Sequence, residues 1–255
     1  TFEIAAMIVE DGLGLEGASE REVLEFRARL KRLARRVRYD VPFEANGVSI
    51  TLREAGHILG SASVEVESEH ARVLVSGDLG RPDSPILRDY ATTWRDHKPF
   101  DLVVMESTYG DRQHRYGGAE VERELERVVK RALRDGGHIL VPAFAIGRTQ
   151  TLLYHLDRLQ SSGRIPKIPV ALDSPLGLRI TEVYGNHSGL FDREALARID
   201  RGDDPLDFAN LYAVRRSSDS MRIRDVKEPM LIIAGSGMCT GGRIVGHLQE
   251  LLSRE

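Results

Sequence analysis

Two short runs hold the residues best suited to hydrolytic chemistry. AGHILGSAS at 55–63 and SGDLG at 76–80 set His57 and Asp78 at the ends of β-like segments, each flanked by glycine. Imidazole and carboxylate are both donors for a zinc-type ion, and loops held by a rigid sheet are where such donors are usually placed. Glu106, in DLVVMES at 101–107, is a third acid at a strand end. Donors on neighbouring strand ends converge on one ion, and a carboxylate bridging two ions suits a two-metal hydrolase. Each residue alone also has a plainer reading: a hydrogen-bonded structural histidine, or an aspartate that only forms a turn. Two donors do not complete a metal site, and the remaining ligands are not evident in this chain. His70, His97, His114, His138, His155, His187 and His247 show no HxH or HExxH spacing and read as packing or surface residues.

A second constellation suits anions. AGSGMCTGGR at 234–243 follows an apolar run and opens a helical one. Its glycines let backbone N–H groups approach a phosphate, and a helix N-terminus favours negative charge. PAFAIGRTQ at 142–150 repeats the theme, with Gly147 in the turn and Arg148 at the helix start, and DSPLG at 173–177 is a third strand-to-helix turn. Such turns line the carboxyl edge of a parallel sheet, where ligands bind. The spacing matches neither a Walker loop nor a dinucleotide fingerprint. Glycines that merely cap helices are the alternative. Tyr109, in ESTYGDR at 106–112, is placed equally well for base stacking, for holding a phosphate or for core packing.

The elements that must position these residues follow from periodicity. Residues 21–38 have an apolar stripe at helical spacing, and their other faces carry Arg21, Arg27, Arg29, Lys31, Arg32, Arg35, Arg36 and Arg38 against Glu22 and Glu25. That charge is a solvated face or a patch that attracts phosphate. From residue 46 the period becomes two, giving strands over 47–55, 61–68 and 71–78, then a short one at 101–107. Beyond about residue 118 strands and helices alternate: helix 119–134, strand 137–143, helix 147–160, strand 168–174, helix 176–184, strand 229–237, helix 241–252. An antiparallel or mixed first part is therefore followed by a parallel α/β part, with the join near 110–118.

Composition bounds the class. The chain has 255 residues, 41% hydrophobic and 29% charged, with a formal net charge of -3. That argues against a non-specific nucleic-acid coat but leaves room for a local basic groove. The single cysteine, Cys239, excludes an intrachain disulfide framework and a cysteine-rich zinc module. No apolar run approaches the roughly 18 residues of a membrane span, and no signal-peptide pattern is present. The expected location is cytoplasmic, without membrane contact. A start at Thr1 and an end at LLSRE read as cut termini.

Taken in order, AGHILGSAS, SGDLG, ESTYGDR, PAFAIGRTQ, ALDSPLG and AGSGMCTGGR resemble the β-CASP branch of the metallo-β-lactamase superfamily, in its RNA-processing members. The resemblance runs from about residue 47 to the C-terminus. It implies an α/β protein: part of an αββα sandwich over 1–110, followed by a parallel-sheet β-CASP cap over 111–255. It implies that His57 and Asp78 are zinc ligands, with Asp78 bridging two ions and taking part in catalysis, and that Glu106 is a catalytic-centre acid orienting the histidines. The implied activity is zinc-dependent hydrolysis of RNA phosphodiester bonds, endonucleolytic or 5′-exonucleolytic. RNA is the implied partner, and a homodimer stays open. Tyr109, Arg148, Ser236, Gly237 and Arg243 are then the candidates for RNA or phosphate contacts, on the strength of their positions.

The chain departs from the family in lacking an HxHxDH motif upstream of His57 and the two later histidine motifs. It therefore reads as the middle of a longer enzyme or as a degenerate subunit that keeps the scaffold. Either way, little zinc binding and little activity are expected of the 255 residues alone. A non-catalytic RNA-binding or scaffold subunit is the main alternative, and a small-molecule hydrolase of the same fold a weaker one. A partial sandwich should also leave strands 47–55 and 71–78 with exposed faces and unpaired edges.

Overall fold

The computed structural model describes residues 1–94, 98–112 and 117–252. His97, His114 and the middle of the 110–118 join lie outside the described residues. The chain divides into two compact units, residues 1–115 with 189–193, and residues 116–188 with 194–255.

The first unit opens with helices α1 (Phe2–Leu15) and α2 (Glu20–Leu33). Ser19 caps α2 in a reciprocal box with Glu22, its hydroxyl accepting from the Glu22 N–H. Glu10 of α1 holds Arg27 of α2 through a pair of 2.6 Å bonds. The helix expected over 21–38 stops at Leu33, where Ala34 turns extended. Tertiary pairing explains the early stop. The Asp40 N–H donates to Leu52 O, the Tyr39 hydroxyl donates to Ser61 O, and Asp40 pairs with Arg53. The chain has to straighten to reach the sheet.

That sheet has the order β1 (Phe43–Ala45), β2 (Val48–Glu54), β3 (Ala62–Glu67), β4 (Arg72–Val75), β5 (Leu102–Val104). β1 to β4 are antiparallel neighbours, and β5 joins β4 in parallel. Register places Ile50 opposite Val66, Leu52 opposite Val64, and Val64 and Val66 opposite Val75 and Val73, an apolar stripe on one face. The other face holds buried charge: Glu65 takes Arg53 at 2.8 Å and also pairs with Arg72, whose guanidinium lies 4.5 Å from the Phe100 ring centroid. The apolar stripe is only half-buried, and in the edge strand β5 Leu102, Val103 and Val104 are 55%, 50% and 50% exposed. The faces of β2 and β4 are open to that extent, but the unpaired edges expected of them are not found: β2 pairs with β1 and β3, β4 pairs with β3 and β5, and the exposed edge belongs to β5.

The second unit has α3 (Gly118–Asp135), β6 (Ile139–Pro142), α4 (Arg148–Ser161), β7 (Val170–Asp173), α5 (Pro175–Asn186), α6 (Arg193–Ile199), β8 (Leu211–Ala213), α7 (Ser217–Ile223), β9 (Leu231–Ala234) and α8 (Arg243–Leu251). Its sheet has the order β6-β9-β7-β8 and every pair is parallel. β7 and β9 are buried throughout, as central strands covered on both faces must be. Leu153, Leu156, Leu159, Ile180 and Ile244 from three helices pack fully buried in this unit. α3 is tied to the turn after α4: Arg164 bonds Glu122 and Glu126 at 2.7 Å, and Glu122 also meets His155 and Arg158. The fold is thus mixed sheet first and parallel α/β second.

Candidate functional site

In the first unit the two donor loops cross. The Gly80 N–H donates to Ala55 O at 2.8 Å, tying SGDLG to AGHILGSAS. A Cβ on Gly80 would stand 2.0 Å from Gly56 O, so only glycine permits the approach. Gly56 sits at φ +63°, with its own Cα side against the backbone of Arg88 and Tyr90. The Ser61 hydroxyl then accepts the N–H groups of His57 and Ile58. The result brings His57 Nε2 to 3.9 Å from Asp78 Oδ2, with the side chains 45% and 76% exposed.

Glu106 enters from the end of β5. Its Oε1 accepts the Leu79 N–H at 2.6 Å, and its own N–H donates to the Ser76 hydroxyl at 3.0 Å. Ser63 in turn donates to Ser76 O. Glu106 thus grips the residue after Asp78 and sets that loop. Bonds from the Thr108 side chain and the Leu79 N–H, helped by the nearby His57, hold its carboxyl below the usual carboxylate range. Ser76, Gly56 and Gly80 escaped the sequence reading as positioning residues. The glycine on each side of His57 and Asp78 was the available signal.

The His57–Asp78 separation is less than twice a zinc–ligand bond of about 2.0–2.2 Å, so one ion fits between the two donors. Among the described residues, however, no group of three His, Cys, Asp or Glu side chains is placed to hold a metal. The pair fits as part of a ligand set.

The second unit brings the three glycine-bearing turns to one sheet edge, because β6, β7 and β9 are parallel. After β6, the Ala143 N–H continues the ladder to Ala234 O, and Thr149 and Gln150 of α4 bond back to the carbonyls of Phe144 and Ala145. Gly147 at φ +73° starts α4, and Arg148 is exposed there. After β9, the loop closes on itself: the Ser236 N–H donates to Gly241 O, and the Ser236 hydroxyl accepts the Thr240 N–H. A Cβ on Gly237 would meet the Phe144 ring at 2.8 Å. Tyr109 belongs to the first unit, where it is 53% exposed.

Arg243 has a defined task in this unit. Its Nη1 donates to Asp173 Oδ1 at 2.6 Å and to Val214 O, and its Nη2 donates to Arg215 O. Asp173 is wholly buried, and its Oδ2 also accepts from Ser220 and faces His247 Nε2 at 2.6 Å. Burial pushes this carboxyl up, but the bonds from His247, Ser220 and Arg243 outweigh it and hold it low. DSPLG proves to be a helix start: Ser174 caps α5 by accepting the Gly177 N–H, with Pro175 in the first turn. His138, His155 and His247 are packing residues, bonded to Val226 O, Glu122 and Asp173.

A mixed sheet presenting a histidine–aspartate pair on crossed loops, followed by a parallel α/β unit with glycine-rich turns at one edge, defines a two-unit α/β protein. Residues 149–255 match the Beta-Casp domain, and the chain belongs to the β-CASP branch of the metallo-β-lactamase superfamily. It is 37% identical over 207 residues to "Ribonuclease TTHA0252" of Thermus thermophilus, covering 81% of this chain and 46% of that protein. It is 30% identical to "Transcription termination factor FttA" of Methanocaldococcus jannaschii (82% and 33% covered). It is 27% identical to "Cleavage and polyadenylation specificity factor subunit 3" of Dictyostelium discoideum (81% and 26% covered). The chain spans less than half the length of these relatives.

Proposed function

We propose that this chain forms the central part of a zinc-dependent ribonuclease that hydrolyses RNA phosphodiester bonds in the cytoplasm. The observation that carries the reading is the crossed-loop placement of His57 and Asp78, with Glu106 clamping the Leu79 N–H. In this reading residues 1–110 are part of the metallo-β-lactamase domain and 111–255 the β-CASP domain. His57 and Asp78 supply metal donors, and Glu106 is a positioning residue for the loop that bears Asp78. Bound zinc would supply Lewis-acid polarisation of the phosphate and an acidified water. Arg148 takes RNA phosphates beside the turn that bears Ser236 and Gly237, while Arg243 acts through the loops that it braces to Asp173.

The test uses a polypeptide of the relatives' length. Single-stranded RNA should be cleaved, and a chelator should abolish cleavage. Asp78→Asn and His57→Ala should lower kcat by orders of magnitude while RNA affinity is retained. Unchanged rates in both variants would refute the assignment. A second reading, a non-catalytic RNA-binding subunit, gains from the lack of a three-donor group among the described residues. An HxHxDH motif upstream decides for the enzyme, and its substitution decides for the scaffold.

A further inference from the structure

Phe144 is held firmly and yet lies open. Its backbone is pinned on both sides, through the Ala143 N–H to Ala234 O at 3.0 Å and through its own carbonyl, which accepts the Thr149 hydroxyl at 2.7 Å. Its ring rests on the backbone of Gly237, where an added Cβ would stand 2.8–3.0 Å from three ring atoms. The residue is nevertheless 52% exposed, and Met238 beside it is 70% exposed. A single exposed apolar side chain is ordinary on a protein surface. An aromatic ring backed by a glycine, on an immobilised backbone at the carboxyl edge of a parallel sheet, is a prepared surface at the place where ligands bind. Exposed Arg148 follows four residues later at the start of α4, so a cation stands on the same turn.

We infer that Phe144 is a stacking shelf for an unpaired nucleobase of the RNA, with Gly237 required because its bare backbone seats the ring. This rests on the ribonuclease reading and adds to it a base-contacting residue, distinct from the phosphate contacts. Stacking has no sequence code, because every base has a π-face, so the shelf would grip single strands of any sequence and reject paired bases. An unpaired base has both faces free to meet the ring, whereas a base inside a duplex is already stacked.

The test measures binding of a short single-stranded oligoribonucleotide by a polypeptide of the relatives' length, with an abasic ribose-phosphate strand of equal length as control. Phe144→Ala should weaken binding to the single strand roughly tenfold, inside the range of base–aromatic stacking. The same variant should bind the abasic strand as the wild type does, with an unchanged salt slope, since no phosphate contact is lost. Phe144→Trp should retain affinity. Phe144→Leu, which still covers Gly237 but has no π-face, should bind as weakly as the alanine variant with a wild-type thermal transition. Equal affinity of wild type and Phe144→Leu overturns the shelf and leaves the ribonuclease reading standing. Equal losses on the base-bearing and abasic strands overturn it as well. Failure of the wild type to bind any RNA overturns the ribonuclease reading and the shelf with it.

Discussion

Replacing Asp173 by asparagine tests the polar centre that holds the edge of the parallel sheet. The carboxylate is wholly buried at the end of β7 and meets Ser220 at 2.5 Å, Arg243 at 2.6 Å and His247 at 2.6 Å. Asparagine keeps the shape but has one acceptor oxygen. If that oxygen faces Arg243, the amide N–H groups point at Ser220 and His247. If it faces those two, donors oppose the guanidinium. Breaking a buried ion pair by removing one partner costs about 3–5 kcal/mol. The Arg243 side chain is 20% exposed and regains some water, so the lower end, about 3 kcal/mol, is expected here. At about 2–4 °C per kcal/mol for a chain of this size, the transition should fall by roughly 6–12 °C. Urea and thermal unfolding of Asp173→Asn, Arg243→Met and the double variant would measure the pair, and the two changes should be strongly non-additive. The pH dependence has a definite sign. The folded carboxyl is depressed, so its contribution is present above the ordinary carboxylate range and is lost as pH falls through the folded value. Wild type and Asp173→Asn should therefore converge in strong acid. A loss under about 1 kcal/mol at neutral pH, far below the cost of breaking a buried pair, would refute the view that this centre organises the sheet edge.

Gly80→Ala should destabilise the first unit by about 1–3 kcal/mol, the usual cost of overpacking, because its Cβ would overlap the Gly56 carbonyl, which is backbone and cannot swing aside. An unchanged melting curve would contradict the crossed-loop geometry. The 255-residue chain should bind zinc more weakly than micromolar, and His57→Ala should remove what binding there is. Calorimetry showing two ions bound below micromolar would refute a partial ligand set. His155 is held neutral because burial outweighs its pairing with Glu122. A depressed histidine stabilises above its unfolded value of about 6.5 and loses that contribution as pH falls toward the folded value. His155→Gln should flatten the loss of stability below about pH 6.5, and an identical pH curve would exclude His155 as its source.

The strands of both sheets and the long helices could be read from periodicity, because a half-buried strand and an amphipathic helix leave unlike patterns of period two and 3.6. Three-residue β1 and β8 escaped, whereas the equally short β5 stood out by its continuous apolar run. α1 escaped as well: it contains Gly12 and Gly14, and glycine is a poor helix former. The end of α2 was misjudged because Arg35 to Arg38 suit a helix locally, while Tyr39 and Asp40 are claimed by the sheet. Within the candidate site, His57, Asp78 and Glu106 stood out by type and by their glycine neighbours. Asp173 read only as part of a turn, since its partners lie 47, 70 and 74 residues away. The bonds of Arg243 to Asp173, Val214 O and Arg215 O were illegible for the same reason, those acceptors being far along the chain.

By itself the sequence determined which side chains are of a type suited to chemistry and which segments alternate, for those follow from residue type and local spacing. Only the tertiary structure decided that Gly80 must slip under Gly56 to bring His57 and Asp78 within 3.9 Å. It alone committed Arg243 to Asp173 and seated Phe144 on Gly237. The physical reason is the same in each case: burial, close approach and pairing are properties of atoms distant in the chain and adjacent in space.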